Sequence, residues 1–300
     1  MWTYLLFILG FAILIKGADF LVEGSSSIAR RLKISDLVIG LTVVAFGTSS
    51  PELFVNVFAS LKGNAAIAIG NIVGSNIANI LLILGVSAII FPLAVTKSIV
   101  LKGIPLSFLA ALLLVVLAND RLIDKDTSSV LTRIDGLVFI FFFVIFLYYS
   151  FSVAKTIEGI RNHIPAKTHG IIKSSLFIIL GLSGLLLGGK WIVDGAVKLA
   201  HSLSVSQSLI GLTIVALGTS LPEFATSAVA AYKKNCEIAV GNILGSNIFN
   251  IFFVLGVSSI LKPLTFQAKQ NIDIFILVFA NLLLFISMFS GKKSLVDRWE

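Results

Sequence analysis

The chain has 300 residues, of which 57% are hydrophobic and only 13% charged, with a mean hydropathy of +1.03. Those proportions exclude a soluble globular domain and leave an integral membrane protein. The net charge of +8 would suggest a nucleic-acid partner in a soluble chain, but here it is read as membrane orientation, and no nucleic acid is expected.

Apolar stretches able to cross about 30 Å of hydrocarbon as helices fall at 3–28, 36–60, 66–91, 98–118, 130–152, 171–199, 207–231, 237–261 and 271–290. None shows the alternating pattern of a membrane barrel, so the expected fold is an all-α polytopic membrane protein embedded in a lipid bilayer. The first stretch has no basic leader and its pattern recurs from residue 172, which marks it as a mature helix rather than a signal peptide. Basic residues then sort by side. One side carries Arg30, Arg31, Lys33, Lys97, Lys102, Lys155, Arg161, Lys167, Lys173, Lys233, Lys234, Lys292, Lys293 and Arg298. The other carries only Lys62, Arg121, Lys125, Arg133, Lys198, Lys262 and Lys269. This bias favours an N-terminus outside and a C-terminus inside, in the plasma membrane.

The second and third stretches hold two unusual segments, and both return later. IGLTVVAFGTSSPE at 39–52 matches IGLTIVALGTSLPE at 210–223, and IAIGNIVGSNIANI at 67–80 matches IAVGNILGSNIFNI at 238–251. An offset of 171 residues aligns 17–93 with 188–264 without a gap, which is a duplicated domain rather than a solenoid repeat. Five helices per copy reverse the side on which the second begins, so the architecture is two inverted-topology repeats, with the site expected where they meet near the midplane. The expected organisation is a first repeat at 1–153, a cytoplasmic linker at 154–170 and a second repeat at 171–300. By the same offset the counterpart of the fifth helix would begin near position 301, so the tenth helix is expected to be absent from this chain.

Pro51 and Pro222 each remove an N–H and crowd the carbonyl four residues back, at Gly47 and Gly218. The helices are therefore expected to loosen at 45–48 and 216–219, freeing carbonyls that are costly in hydrocarbon unless they line a polar cavity or bind a cation. Thr48 and Ser49 share a helix face with Glu52, as Thr219 and Ser220 do with Glu223. In the following helix Asn71, Ser75 and Asn79 recur every four residues, repeated as Asn242, Ser246 and Asn250. Hydroxyls, amide oxygens, carbonyls and two carboxylates make an all-oxygen donor set, suited to a hard cation such as Ca²⁺ or Na⁺ rather than zinc or copper. The glycines of GNIVG and GNILG read equally well as close helix packing, and an isolated Asn or Ser in such a helix is commonly an interhelical hydrogen bond. An intramembrane carboxylate is a functional candidate by default, and two symmetry-related ones more so. Lys16, Asp19, Glu23, Lys190 and Asp194 read as interfacial or locally paired. His163, His169 and His201 sit in loops or at helix ends, and the lone Cys236 reads as a packing residue.

The paired GTSSPE/GTSLPE and GNIVGSNIAN/GNILGSNIFN segments resemble the two α-repeats of the Ca²⁺/cation antiporter superfamily, in its sodium/calcium exchanger branch, over essentially the whole chain. The resemblance implies a ten-helix inverted-repeat fold and exchange of Ca²⁺ for Na⁺ by alternating access, with the first and sixth helices as the moving pair. It assigns Glu52 and Glu223 as central Ca²⁺ ligands, supported by Thr48 and Thr219. Ser49, Ser75, Ser220 and Ser246, with the carbonyls of Ala45 and Ala216, match the flanking Na⁺ positions, and Asn79 and Asn250 complete the middle site. Some members carry aspartate where this chain has Asn250, so a possible third carboxylate is absent. Ca²⁺ and Na⁺ are then transported ions, and no cofactor or enzymatic activity is expected. A proton-coupled Ca²⁺ antiporter is the nearest rival and a cation channel the next. An intramembrane hydrolase is disfavoured because no His-assisted nucleophile is visible.

Overall fold

The computed structural model describes residues 2–94, 103–123, 125, 127–154, 169–203, 216–290 and 295–296. In chain order the membrane helices are α1 (Trp2–Arg31), the bent pair α2 (Asp36–Thr48) and α3 (Ser50–Leu61), α4 (Ala65–Ile90), α5 (Ile104–Leu117) and α6 (Arg133–Ala154). Then follow α7 (Ile171–Ser202), a second interrupted pair α8 (Ala216–Thr219) and α9 (Leu221–Tyr232), α10 (Cys236–Leu261) and α11 (Asn271–Ser290). The expected stretch at 98–118 appears as a helix from Ile104, and residues 207–215 of the stretch at 207–231 lie outside the described residues, as does nearly all of the linker. Four short strands were not expected. β1 (Leu93–Ala94) pairs with β4 (Leu295–Val296), and β2 (Ser129–Leu131) with β3 (Leu264–Phe266), both antiparallel.

Local chemistry sets the helix ends. Asn64 caps α4 by accepting from the Ile67 N–H at 3.3 Å, and Asn235, its partner in the second repeat, caps α10 through Ile238 at 3.1 Å. The turn before α4 needs a left-handed residue, and Gly63 supplies it at φ +77°. Lys234 holds the same position before α10 at φ +60°, a conformation a side chain disfavours.

α1 and α7 run antiparallel along a seam of small residues. A Cβ on Gly17 would lie 2.7 Å from the Leu185 nitrogen, one on Gly181 2.6 Å from the Leu21 nitrogen, and one on Gly188 2.7 Å from the Leu14 nitrogen. Such backbone approach makes the two helices one unit. Behind them α2, α4, α9 and α10 form the centre of the bundle, with α6 laid against α10 through Gly136, Gly256 and a run of phenylalanines.

Candidate ion site at the repeat interface

Pro51 lies in the first turn of α3, where its missing N–H is no loss, and the chain bends by 47° between α2 and α3. The break falls at Ser49 (φ −81°, ψ 9°), and its counterpart Ser220 has φ −88°, ψ 4°. The loosening is thus narrower than the proline spacing suggests. Residues 45–48 stay helical, and the Ala45 carbonyl still accepts from the Ser49 N–H at 3.0 Å and the Thr48 hydroxyl at 3.3 Å. Ala216 opens α8 at the edge of the described residues. Wider π turns occur at Gly40–Val44 in α2, Asn79–Leu84 in α4 and Phe249–Leu255 in α10. Two of them begin at or beside a candidate asparagine, where such turns re-aim side chains.

The break puts Glu52 in the first turn of α3 and Glu223 in the first turn of α9, each essentially inaccessible to solvent. Thr48, Ser49, Ser75, Asn79, Thr219, Ser220, Ser246 and Asn250 are buried with them. The two repeats reach across to each other. Ser49 donates to Glu223 Oε1 at 2.7 Å, and Ser220 donates to Glu52 Oε1 at 3.2 Å. Each glutamate is also met from its own repeat, by Ser75 at 3.4 Å for Glu52 and Ser246 at 3.3 Å for Glu223. Thr48 donates to Asn242 Oδ1 at 3.0 Å, and Thr219 to Asn71 Oδ1 at 3.4 Å.

Those amides are held in turn. Asn71 donates to Asn56 and Asn56 to the Ala68 carbonyl, both at 3.0 Å. In the second repeat Asn242 donates to Ser227 at 2.9 Å and Ser227 to the Ala239 carbonyl at 3.3 Å. Ser227 stands where the first repeat has Asn56, so a hydroxyl replaces an amide and the relay survives.

Four oxygens of this cluster have no hydrogen-bond partner: Glu52 Oε2, Glu223 Oε2, Asn79 Oδ1 and Asn250 Oδ1. Two come from each repeat. Burying an unpaired carboxylate costs several kcal/mol, so the arrangement is stable only with positive charge or protons supplied to it. The ion pairs among the described residues all involve α1 instead: Lys16 with Asp19 at 4.0 Å, Lys233 with Asp19, and His169 with Glu23 at 2.7 Å. Lys190 and Asp194 are exposed on α7. His163 and the His201 side chain lie outside the described residues. No group of three or more His, Cys, Asp or Glu side chains gathers among the described residues, and the donors around the glutamates are hydroxyl and amide oxygens.

Sequence reasoning did not single out Asn76 and Asn247, both buried at the interface. Asn79 donates to Asn247 Oδ1 and Asn250 donates to Asn76 Oδ1, each at 3.0 Å. A signal was present, since both asparagines match at the 171-residue offset, but their spacing of three from Asn79 and Asn250 placed them off the four-residue ladder.

The family model described as sodium/calcium exchanger protein matches residues 2–152 and again 173–300, one match per repeat. A relative from Alkalimonas amylolytica, the putative antiporter CaxA, is 39% identical over 98% of this chain and 92% of its own length. The sodium/calcium exchanger MaX1 of Methanosarcina acetivorans is 32% identical, with 99% and 94% covered. A solved structure of the sodium-calcium exchanger NCX_Mj, soaked with Na⁺ and Ca²⁺, superposes with a TM-score of 0.84 at 37% identity, covering all of this chain and 93% of that one.

Proposed function

This chain belongs to the sodium/calcium exchanger family, and from that premise we propose that it exchanges Ca²⁺ for Na⁺ across the plasma membrane as a secondary antiporter. The observation that carries the reading is the set of four partnerless buried oxygens contributed equally by the two repeats. Glu52 and Glu223 are the central ligands in this reading, with Asn79, Asn250, Thr48 and Thr219 around them. Ser49, Ser75, Ser220 and Ser246, with the carbonyls of Ala45 and Ala216, serve the flanking Na⁺ positions. A hard cation accepts such oxygens readily, whereas a soft metal prefers imidazole or thiolate.

Charge balance gives the coupling. Two carboxylates neutralise one Ca²⁺ or two Na⁺, so the loads compete for one site without a net change in its charge. Any further Na⁺ would be held by neutral hydroxyls and carbonyls, which makes the cycle electrogenic. Alternating access follows if the α1–α7 unit slides across the fixed centre, and their glycine seam supports motion as a pair. In this reading the N-terminus lies outside and the 154–170 linker inside, an orientation supported by the distribution of basic residues.

The test is radiolabelled Ca²⁺ uptake into proteoliposomes, comparing an outward Na⁺ gradient, a pH gradient and no gradient. Sodium-driven uptake that rises with imposed membrane potential supports the whole reading. Uptake driven only by the pH gradient would transfer the function to a proton-coupled antiporter, and uptake needing neither gradient would indicate a channel.

A further inference from the structure

Resting on that reading, we infer that Asn76 and Asn247 are positioning residues that turn the amide oxygens of Asn79 and Asn250 toward the ion. A side-chain amide has two faces of opposite character. Its oxygen can ligate a cation and its NH₂ cannot. Which end faces a site is therefore decided by whatever binds the other end.

In this molecule the other end is bound across the repeat interface. Asn247 Oδ1 accepts the Asn79 NH₂ and Asn76 Oδ1 accepts the Asn250 NH₂, each at 3.0 Å, leaving both Asn79 Oδ1 and Asn250 Oδ1 buried and unpartnered. Asn76 is fixed in turn, because its own NH₂ donates to the Asn247 backbone carbonyl at 3.0 Å. The four amides thus form a crossed set in which each repeat orients the ligand of the other. Without the lock, an Asn79 NH₂ has a strong reason to turn around. Glu52 Oε2 and Glu223 Oε2 are buried acceptors with no donor, and an amide donor would be drawn to them. That rotation would replace a ligand oxygen with a hydrogen-bond donor in the cation's place.

The two sides differ in one useful respect. The Asn247 NH₂ has no partner, whereas that of Asn76 does. Position 247 can therefore lose its NH₂ without breaking a bond, and Asn247→Asp keeps the acceptor for Asn79. Asn247→Leu removes that acceptor while keeping the same number and branching of side-chain heavy atoms.

Half-saturation by Ca²⁺ and by Na⁺ is measured for the full chain in proteoliposomes, with thermal unfolding in Na⁺ buffer alongside. Asn247→Leu is expected to raise the Ca²⁺ half-saturation about tenfold while moving that for Na⁺ less than about twofold. Asn247→Asp is expected to return the Ca²⁺ value to within about threefold of the unmodified protein. Should the leucine variant not fold, Asn247→Ala carries the same expectation. Equal weakening for both ions without recovery by aspartate, or no change with leucine, overturns the inference while leaving exchange intact. Absence of Ca²⁺ uptake in the unmodified protein under every gradient overturns the exchanger reading, and the inference with it.

Discussion

Leu81 of α4 and Phe252 of α10 occupy equivalent places in the two repeats, yet Leu81 is 52% exposed and Phe252 is wholly buried. The helices carry nearly the same motif, and their site-facing sides behave alike: Ser75 and Ser246 meet a glutamate, while Asn79 and Asn250 donate across the interface. Their outer sides do not. α6 covers α10, where Phe139 and Phe142 stack near Phe252, and Phe143 lies 5.7 Å from Phe249 and 5.1 Å from Phe253. On α4 the matching positions are Ala78, Leu81 and Leu82, and Ala78 and Leu82 line a cavity of about 220 Å³ beside Ser220. The site-facing sides are alike because each presents the same polar residues to the other repeat, while the outer sides differ because α6 lies against α10 and no described helix lies in the same way against α4.

The strongest way to break this comparison is at the carboxylates. Glu52→Gln and Glu223→Gln are expected to reduce Na⁺-driven Ca²⁺ uptake by similar factors of roughly 10²–10³, the scale of losing one partner of a buried charge pair. A large difference between them would mean that the site is not shared equally by the repeats. Next comes the outer side. Phe252→Ala should cost about 3 kcal/mol, through the cavity it leaves against α6. Leu81→Ala should cost less than about 1 kcal/mol in detergent unfolding, because much of its surface is already open.

Glycine substitutions sharpen the same contrast. A Cβ on Gly256 would lie 3.0 Å from Ile140 Cδ1 and 3.2 Å from the Gly136 carbonyl, so Gly256→Leu should destabilise by about 1–3 kcal/mol. Gly85, its equivalent on α4, has open space around it among the described residues. Gly85→Leu should be within about 0.5 kcal/mol of neutral by the same measurement. The smallest effect is at the turns. Lys234→Gly should stabilise by up to about 1 kcal/mol, since it relieves a left-handed lysine where the first repeat already has Gly63.

Much of this was legible in the chain. Long apolar runs can cross a bilayer only as helices, because the backbone must satisfy itself in hydrocarbon, and the observed helices follow those runs closely. The matched proline and glutamate segments marked the buried polar cluster between the repeats, because carboxylates and helix breakers are expensive in that solvent. Asn71 and Asn242 were visible as members of the ladder, though not as the acceptors for Thr48 and Thr219. The loosening expected at 45–48 was read too broadly. A proline in the first turn of a new helix needs only one non-helical residue before it, and Ser49 provides it.

The sequence by itself determined the solvent, the duplication, the inverted arrangement and most of the polar residues that gather between the repeats, since hydropathy, parity and residue type are local or additive properties. Only the tertiary structure decided which oxygens are left without partners and which asparagines hold the others. Those facts depend on hydrogen bonds between residues such as Asn79 and Asn247, 168 positions apart in sequence. An amide reads the same in sequence whether it presents its oxygen or its nitrogen. Its orientation is set by the partner that the fold brings to it.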